Sequence, residues 1–108
     1  MGRKGCPIER TVNILEGKWT LLILRELFTG TKRFGELRAG LPGVSPKTLA
    51  ERLRILESQG IIARTIYPEV PPRVEYSLTP LGQTLNPIIE ALRDWGTQWA
   101  DQVLPVTG

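Results

Sequence analysis

The chain has 108 residues, a length that suits one domain around one core. Hydrophobic residues make up 41% and charged residues 23%, with a net charge of +3, no histidine and one cysteine. These totals exclude a Ser-His or Cys-His catalytic pair, leave too few Cys and His ligands for a common zinc site, and forbid an intrachain disulfide.

The charge is unevenly spread. Residues 1–31 carry a net +2, residues 32–73 a net +4 and residues 74–108 a net −3. A positive middle and an acidic C-terminal part fit a polyanion-binding face opposite a face with another task, and equally fit ordinary scatter of solvated charge. The single cysteine fits a reducing compartment. No signal-peptide pattern and no apolar run of about 18 or more residues appears in these residues. A soluble cytoplasmic protein is expected, with no membrane partner and no cofactor.

Residues 1–5, MGRKG, read as a flexible basic segment, and residues 6–108 as a single domain. After Cys6-Pro7, Ile8, Val12 and Leu15 fall on one helical face, and Gly17 ends that helix. KWTLLILRELF, residues 18–28, is apolar almost all round and belongs in the centre of a small core. Phe34, Leu37 and Leu41 mark a short third helix, broken by Pro42-Gly43. Ser45 as N-cap and Pro46 as first helical residue then open a helix over residues 45–59. Its Leu49, Leu53 and Leu56 repeat at inward-facing spacing, while Lys47, Thr48, Glu51, Arg52 and Arg54 lie off that stripe.

Two helices joined by a Leu-Pro-Gly-Val turn form a helix-turn-helix. A hairpin over residues 61–78 follows. Val74, Tyr76 and Leu78 alternate toward a core in its second strand. Period alone leaves open whether Ile62 and Ile66 or Ile61 and Ala63 face inward in its first. The tip holds Pro68, Pro71 and Pro72, which pre-set an extended shape and spare the ordering cost of a contact made there. Thr79-Pro80 starts a last helix over residues 80–100. Leu81, Leu85, Ile88, Ile89, Leu92, Trp95 and Trp99 form its apolar stripe, and Pro87 should kink or interrupt it.

The fold class read from this pattern is mainly α with a small β-hairpin. It is a winged helix-turn-helix with long terminal helices. A recognition helix of this kind fits the major groove of B-DNA, and the wing runs beside it toward the minor groove. The long apolar stripe beyond an already adequate core suggests a second copy of the chain across a twofold axis.

Several separate motifs resemble the HxlR-type winged helix-turn-helix regulators, relatives of the MarR group. They are CPIE at 6–9, GKWTLLIL at 17–24, RFGELR at 33–38, GVSPKTLAERLRILE at 43–57, YPEVPPRVEYSLTPLG at 67–82 and ALRDWG at 91–96. The resemblance covers about residues 6–99 and implies a homodimeric transcription regulator, a repressor or activator, that reads palindromic operators in double-stranded DNA. Carried onto this chain, it implies Ser45, Pro46, Lys47, Thr48 and Arg52 at the DNA from the recognition helix. It implies Arg73 in the minor groove, and Lys32, Arg33 and Arg64 on phosphates. Arg54 reads as surface or packing, and Tyr67 and Tyr76 as hairpin packing. Ile8, Leu85, Ile88, Ile89, Leu92, Trp95 and Trp99 are expected at the dimer interface.

Cys6, at a helix start beside Arg3 and Lys4, sits where a thiolate is stabilised. The cysteine here is a hallmark of the family, and some relatives use it to sense oxidants or electrophiles. An oxidant or small-molecule effector is therefore expected alongside the plainer reading of Cys6 as a small buried packing residue. A second class of function is a winged-helix protein-interaction module without DNA. Neither reading requires an enzyme, and no catalytic constellation is present.

Overall fold

The computed structural model describes residues 5–104. The expected basic segment at residues 1–5 therefore lies outside the described residues, apart from Gly5. Six helices and three strands follow in the order α1 (Pro7–Ile14), α2 (Lys18–Leu27), β1 (Lys32–Arg33), α3 (Phe34–Gly40), α4 (Pro46–Ser58), β2 (Ile62–Tyr67), β3 (Arg73–Leu78), α5 (Pro80–Gln83) and α6 (Asn86–Val103).

The core forms where the apolar faces of α2, α3 and α4 converge. Ile23, Leu24, Leu27, Leu37, Leu41, Leu49, Leu53 and Leu56 are buried there, joined by Val44, Ile61, Ile62 and Ile89. Burial of a single such side chain is worth about 1.5–3 kcal/mol, so this cluster dominates the stability of the protomer. The buried row of α4 has the spacing read from its sequence.

Its N-terminus is built as expected too. The Ser45 side chain accepts from the Thr48 backbone N–H at 3.1 Å, with Pro46 in the first turn. Thr79 repeats the device at α5, accepting from the Gly82 N–H at 3.0 Å. Its backbone N–H also donates to the Ile61 carbonyl at 3.0 Å. Gly82 presses on the same carbonyl, and a Cβ there would lie 2.2 Å from the Ile61 oxygen. The base of the hairpin and the start of the C-terminal helices therefore form one backbone-to-backbone joint.

Two features differ from the sequence reading, one answers what it left open, and one is the interruption it expected. The hairpin is part of a three-stranded antiparallel sheet, ordered β1-β3-β2, because Lys32 and Arg33 pair with Tyr76 and Glu75. As the central strand, β3 is half-buried along its whole length, so the alternation of Val74, Tyr76 and Leu78 is not clean. In the other strand, Ile61 and Ile62 are both buried while Ile66 is 56% exposed. Ile61 precedes the strand, so the period of two does not apply across the pair. Finally, the interruption expected at Pro87 falls between α5 and α6. Pro87 occupies the first turn of α6, where its missing N–H loses no helical bond, and α6 continues to Val103.

Candidate nucleic-acid interface

The outward side of α4 is a row of polar residues held in place by the leucines behind it. Ser45, Pro46, Lys47, Glu51 and Arg54 are exposed and Thr48 is half-buried. The Ser45 hydroxyl also donates to Thr48 Oγ1 at 2.9 Å, which orients both side chains at the helix start. Among the described residues no carboxylate lies within 4.0 Å of Lys47, so Glu51, one turn on, leaves this cation free.

Arg52 takes a different course from the one expected. It is half-buried on the flank of α4, and its guanidinium lies against Gly17, between α1 and α2. Arg54, read from the sequence as surface or packing, stands on the exposed side with Lys47. At 100° per residue, positions 47, 51 and 54 share one face and position 52 is turned toward the buried row.

The remaining cations lie on the sheet. Lys32 and Arg33 form β1 and so sit beside the wing rather than merely before α3. Lys32 Nζ donates to Thr29 Oγ1 at 2.6 Å, and the Arg33 backbone N–H donates to Glu36 Oε1 at 2.7 Å at the start of α3. The Arg33 side chain is left facing solvent. Arg64 pairs with Glu57 of α4 at 3.6 Å. Arg73 is held most closely. Its guanidinium stacks 4.1 Å above the Tyr67 ring and reaches Glu69 at 3.1 Å and Glu75 at 3.6 Å. Its Nε is buried without a hydrogen-bond partner. An arginine expected to reach the minor groove is thus braced along the wing by two carboxylates.

Tyr76 packs between the wing and α4, where burial raises its phenol above the ordinary range, nearby Arg64 lowers it and Glu57 raises it. The phenol stays protonated and behaves as packing.

The opposite end of the molecule is apolar and open. Helix α1 buries no residue, and Ile8 and Val12 are exposed. In α6 only Ile89 is buried, while Leu92, Trp95 and Trp99 are exposed. A groove of about 680 Å³ runs between α1, the start of α2 and α6, lined by Ile8, Val12, Leu15, Leu21, Ile88 and Leu92. Of the residues expected at a partner, Ile89 is taken up by the protomer's own core and Leu85 packs against it. Ile89 is thus corrected to a core residue, because the first turns of α6 lie on α2, while Leu85 is only half-buried.

Cys6 stands at the N-cap of α1 and is exposed on the protomer. Its side chain makes no capping hydrogen bond, but the backbone N–H of Glu9, then that of Ile8, at the open helix end favours the thiolate and holds the thiol below its ordinary range. Among the described residues no three His, Cys, Asp or Glu side chains cluster to hold a metal ion, and no helix is long and apolar enough to cross a membrane.

The profile of the HxlR-like helix-turn-helix family matches residues 14–104. The chain belongs to that family. An uncharacterised helix-turn-helix transcriptional regulator of Synechocystis sp. is 53% identical over 97 residues, which cover 90% of this chain and 72% of that one. The reduced form of the redox regulator HypR superposes with a TM-score of 0.87 at 40% identity, covering 91% of this chain and 97% of HypR. Diamide-treated YodB from Bacillus subtilis superposes with a TM-score of 0.73 at 37% identity, covering 90% and 97%. This HxlR-like chain is therefore a transcriptional regulator of helix-turn-helix type with a winged-helix fold, and not an enzyme.

Proposed function

We propose that this regulator binds double-stranded DNA as a homodimer on a palindromic operator, with α4 in the major groove and the β2–β3 wing beside it. The observation that carries this reading is the outward side of α4. A capped helix, fixed from behind by Leu49, Leu53 and Leu56, presents Ser45, Lys47 and Thr48 to solvent with the cation unpaired. Lys47 and Ser45 supply donors for base edges or phosphates at the helix start. Pro46 brings the backbone close at the same end. Arg33 and Lys32 on β1 supply phosphate contacts, and Arg64 a weaker one because Glu57 already holds it. Arg73 enters the minor groove only by leaving Glu69 or Glu75.

Pairing of two protomers is supported by shape and by exposed area. The radius of gyration is 15.8 Å, against about 13 Å for a compact chain of this length. The excess comes from helices that stand away from the core, and these carry Ile8, Leu92, Trp95 and Trp99 into solvent. A twofold partner laying α1 and α6 on the same helices covers that surface on both copies. It would place two α4 helices about 34 Å apart, or a multiple of that.

The effector acts at this same end. Cys6 is exposed at the start of α1, with its thiolate favoured by two backbone N–H groups. With one cysteine per chain, oxidation by a diazene such as diamide joins Cys6 to Cys6 of the partner protomer. Two protons and two electrons pass to the oxidant. HypR and YodB have been captured in oxidised and diamide-treated forms, which supports this choice of signal. A small molecule in the groove beside α1 is the alternative effector.

The deciding experiment is a fluorescence-anisotropy titration of the duplex upstream of the protein's own gene, with reduced and diamide-treated protein in parallel. Steeply salt-dependent binding by the reduced protein supports DNA recognition. Absence of duplex binding at any salt supports a protein-interaction module. Loss of binding on oxidation that Cys6→Ser abolishes assigns the signal to the thiol.

A further inference from the structure

Arg52 occupies an unusual place for a cation on a recognition helix. Lys47, Glu51 and Arg54 are exposed, yet Arg52 is half-buried on the flank next to the leucine row. Its guanidinium is spread over Gly17. Measured from a Cβ built at Gly17, Nη2 lies at 3.3 Å, Cζ at 3.4 Å and Nη1 at 3.7 Å. Three atoms of the flat group would meet that Cβ, so the guanidinium faces Gly17. Among the described residues no carboxylate lies within 4.0 Å of it, so an ion pair does not account for its position.

Gly17 is the joint between α1 and α2. Its φ of +92° is open to glycine and strained for other residues, and a Cβ there would crowd the guanidinium at 3.3 Å. The carbonyl end of α1 lies just before it, where a positive charge is favoured by the helix dipole. Helix α1 buries no residue of its own, so its angle on the body depends heavily on this joint.

We infer that Arg52 is a positioning residue that clamps the α1–α2 joint at Gly17 to the recognition helix, so that a displacement of α1 is passed to α4. The inference rests on the DNA-binding reading for its consequence and on geometry alone for the clamp. It gives the groove-facing role on this helix to Lys47 and Arg54, and gives Arg52 an internal one.

The test uses the full chain with Arg52→Met, which keeps the stem and removes the fork. Amide exchange at residues 15–20 should quicken by about threefold or more as the joint loosens. Affinity for the duplex upstream of its gene should fall, while the slope of log affinity against log salt stays at the wild-type value, because no phosphate contact is lost. A slope reduced by about 0.9 puts Arg52 on a phosphate and overturns the inference. Unchanged exchange at residues 15–20 overturns it as well.

Gly17→Ala supplies the independent arm. It should weaken duplex binding and quicken exchange in the first turns of α4, and both effects should vanish in the Arg52→Met background. Additive effects would mean that the two residues do not act together. If the wild-type protein shows no salt-dependent duplex binding, the DNA reading fails by itself, and the exchange measurements still decide the clamp.

Discussion

Helices α4 and α6 are both amphipathic, yet their apolar faces are used differently. Helix α4 turns Leu49, Leu53 and Leu56 fully into the protomer and leaves a polar face outside. Helix α6 is longer and buries only Ile89, leaving Leu92, Trp95 and Trp99 in solvent. The first helix is stabilised by its own chain. The second is stabilised in full only by something laid against it. Apolar periodicity marks both, but it does not say which molecule covers the stripe.

The sharpest way to break this contrast is to cut each helix on its apolar side. Leu53→Ala should cost about 2–5 kcal/mol in urea unfolding, with the loss independent of protein concentration. Trp95→Ser combined with Trp99→Ser should weaken self-association by about 100-fold, or roughly 3 kcal/mol. Sedimentation should then show monomers at concentrations where the wild type pairs, and Tm should lose its dependence on concentration. If both variants shift Tm equally at every concentration, α6 belongs to the protomer and the contrast fails.

The polar side of α4 gives smaller effects. Lys47→Ala should weaken duplex binding by about 1–3 kcal/mol and, if its contact is a phosphate, lower the salt slope by about 0.9. Ser45→Ala removes the cap and should cost about 1 kcal/mol of stability, read by urea titration. The gentlest test concerns Cys6. Its pKa is lowered in the folded protein, so the stabilisation of the thiolate by the Glu9 and Ile8 amides is retained above the unfolded pKa and lost as pH falls through the folded one. The rate of iodoacetamide alkylation should therefore rise at lower pH in the native protein than in urea.

Much of this was legible in the residues. Ser45-Pro46 and Thr79-Pro80 announce helix starts because a hydroxyl acceptor and a preset φ act locally, whatever the rest of the chain does. The leucines of α4 are legible because their spacing is long and regular. Strand β1 was not, since two residues carry no period and their pairing with β3 is decided by chain packing. The position of Arg52 was not legible because what it packs against, Gly17 with its positive φ, is a tertiary fact with no mark in the α4 sequence. Arg73 was placed in the minor groove by the family resemblance, while its two carboxylates, Glu69 and Glu75, were not weighed against it. Ile89 illustrates the same limit on α6, where one member of an outward stripe is drawn into the core by α2.

The contact of Gly82 with the Ile61 carbonyl bears on how such a regulator changes its target over time. That joint is made of main chain on both sides, so side-chain substitution has little means of retuning its angle. In a pair of protomers joined through α6, the distance between the two reading heads is then adjusted by the register of the α6 surfaces, while the wing keeps a fixed bearing. Descendants that drift toward operators of different half-site spacing should accumulate their differences along residues 92–103, and keep glycine at 82.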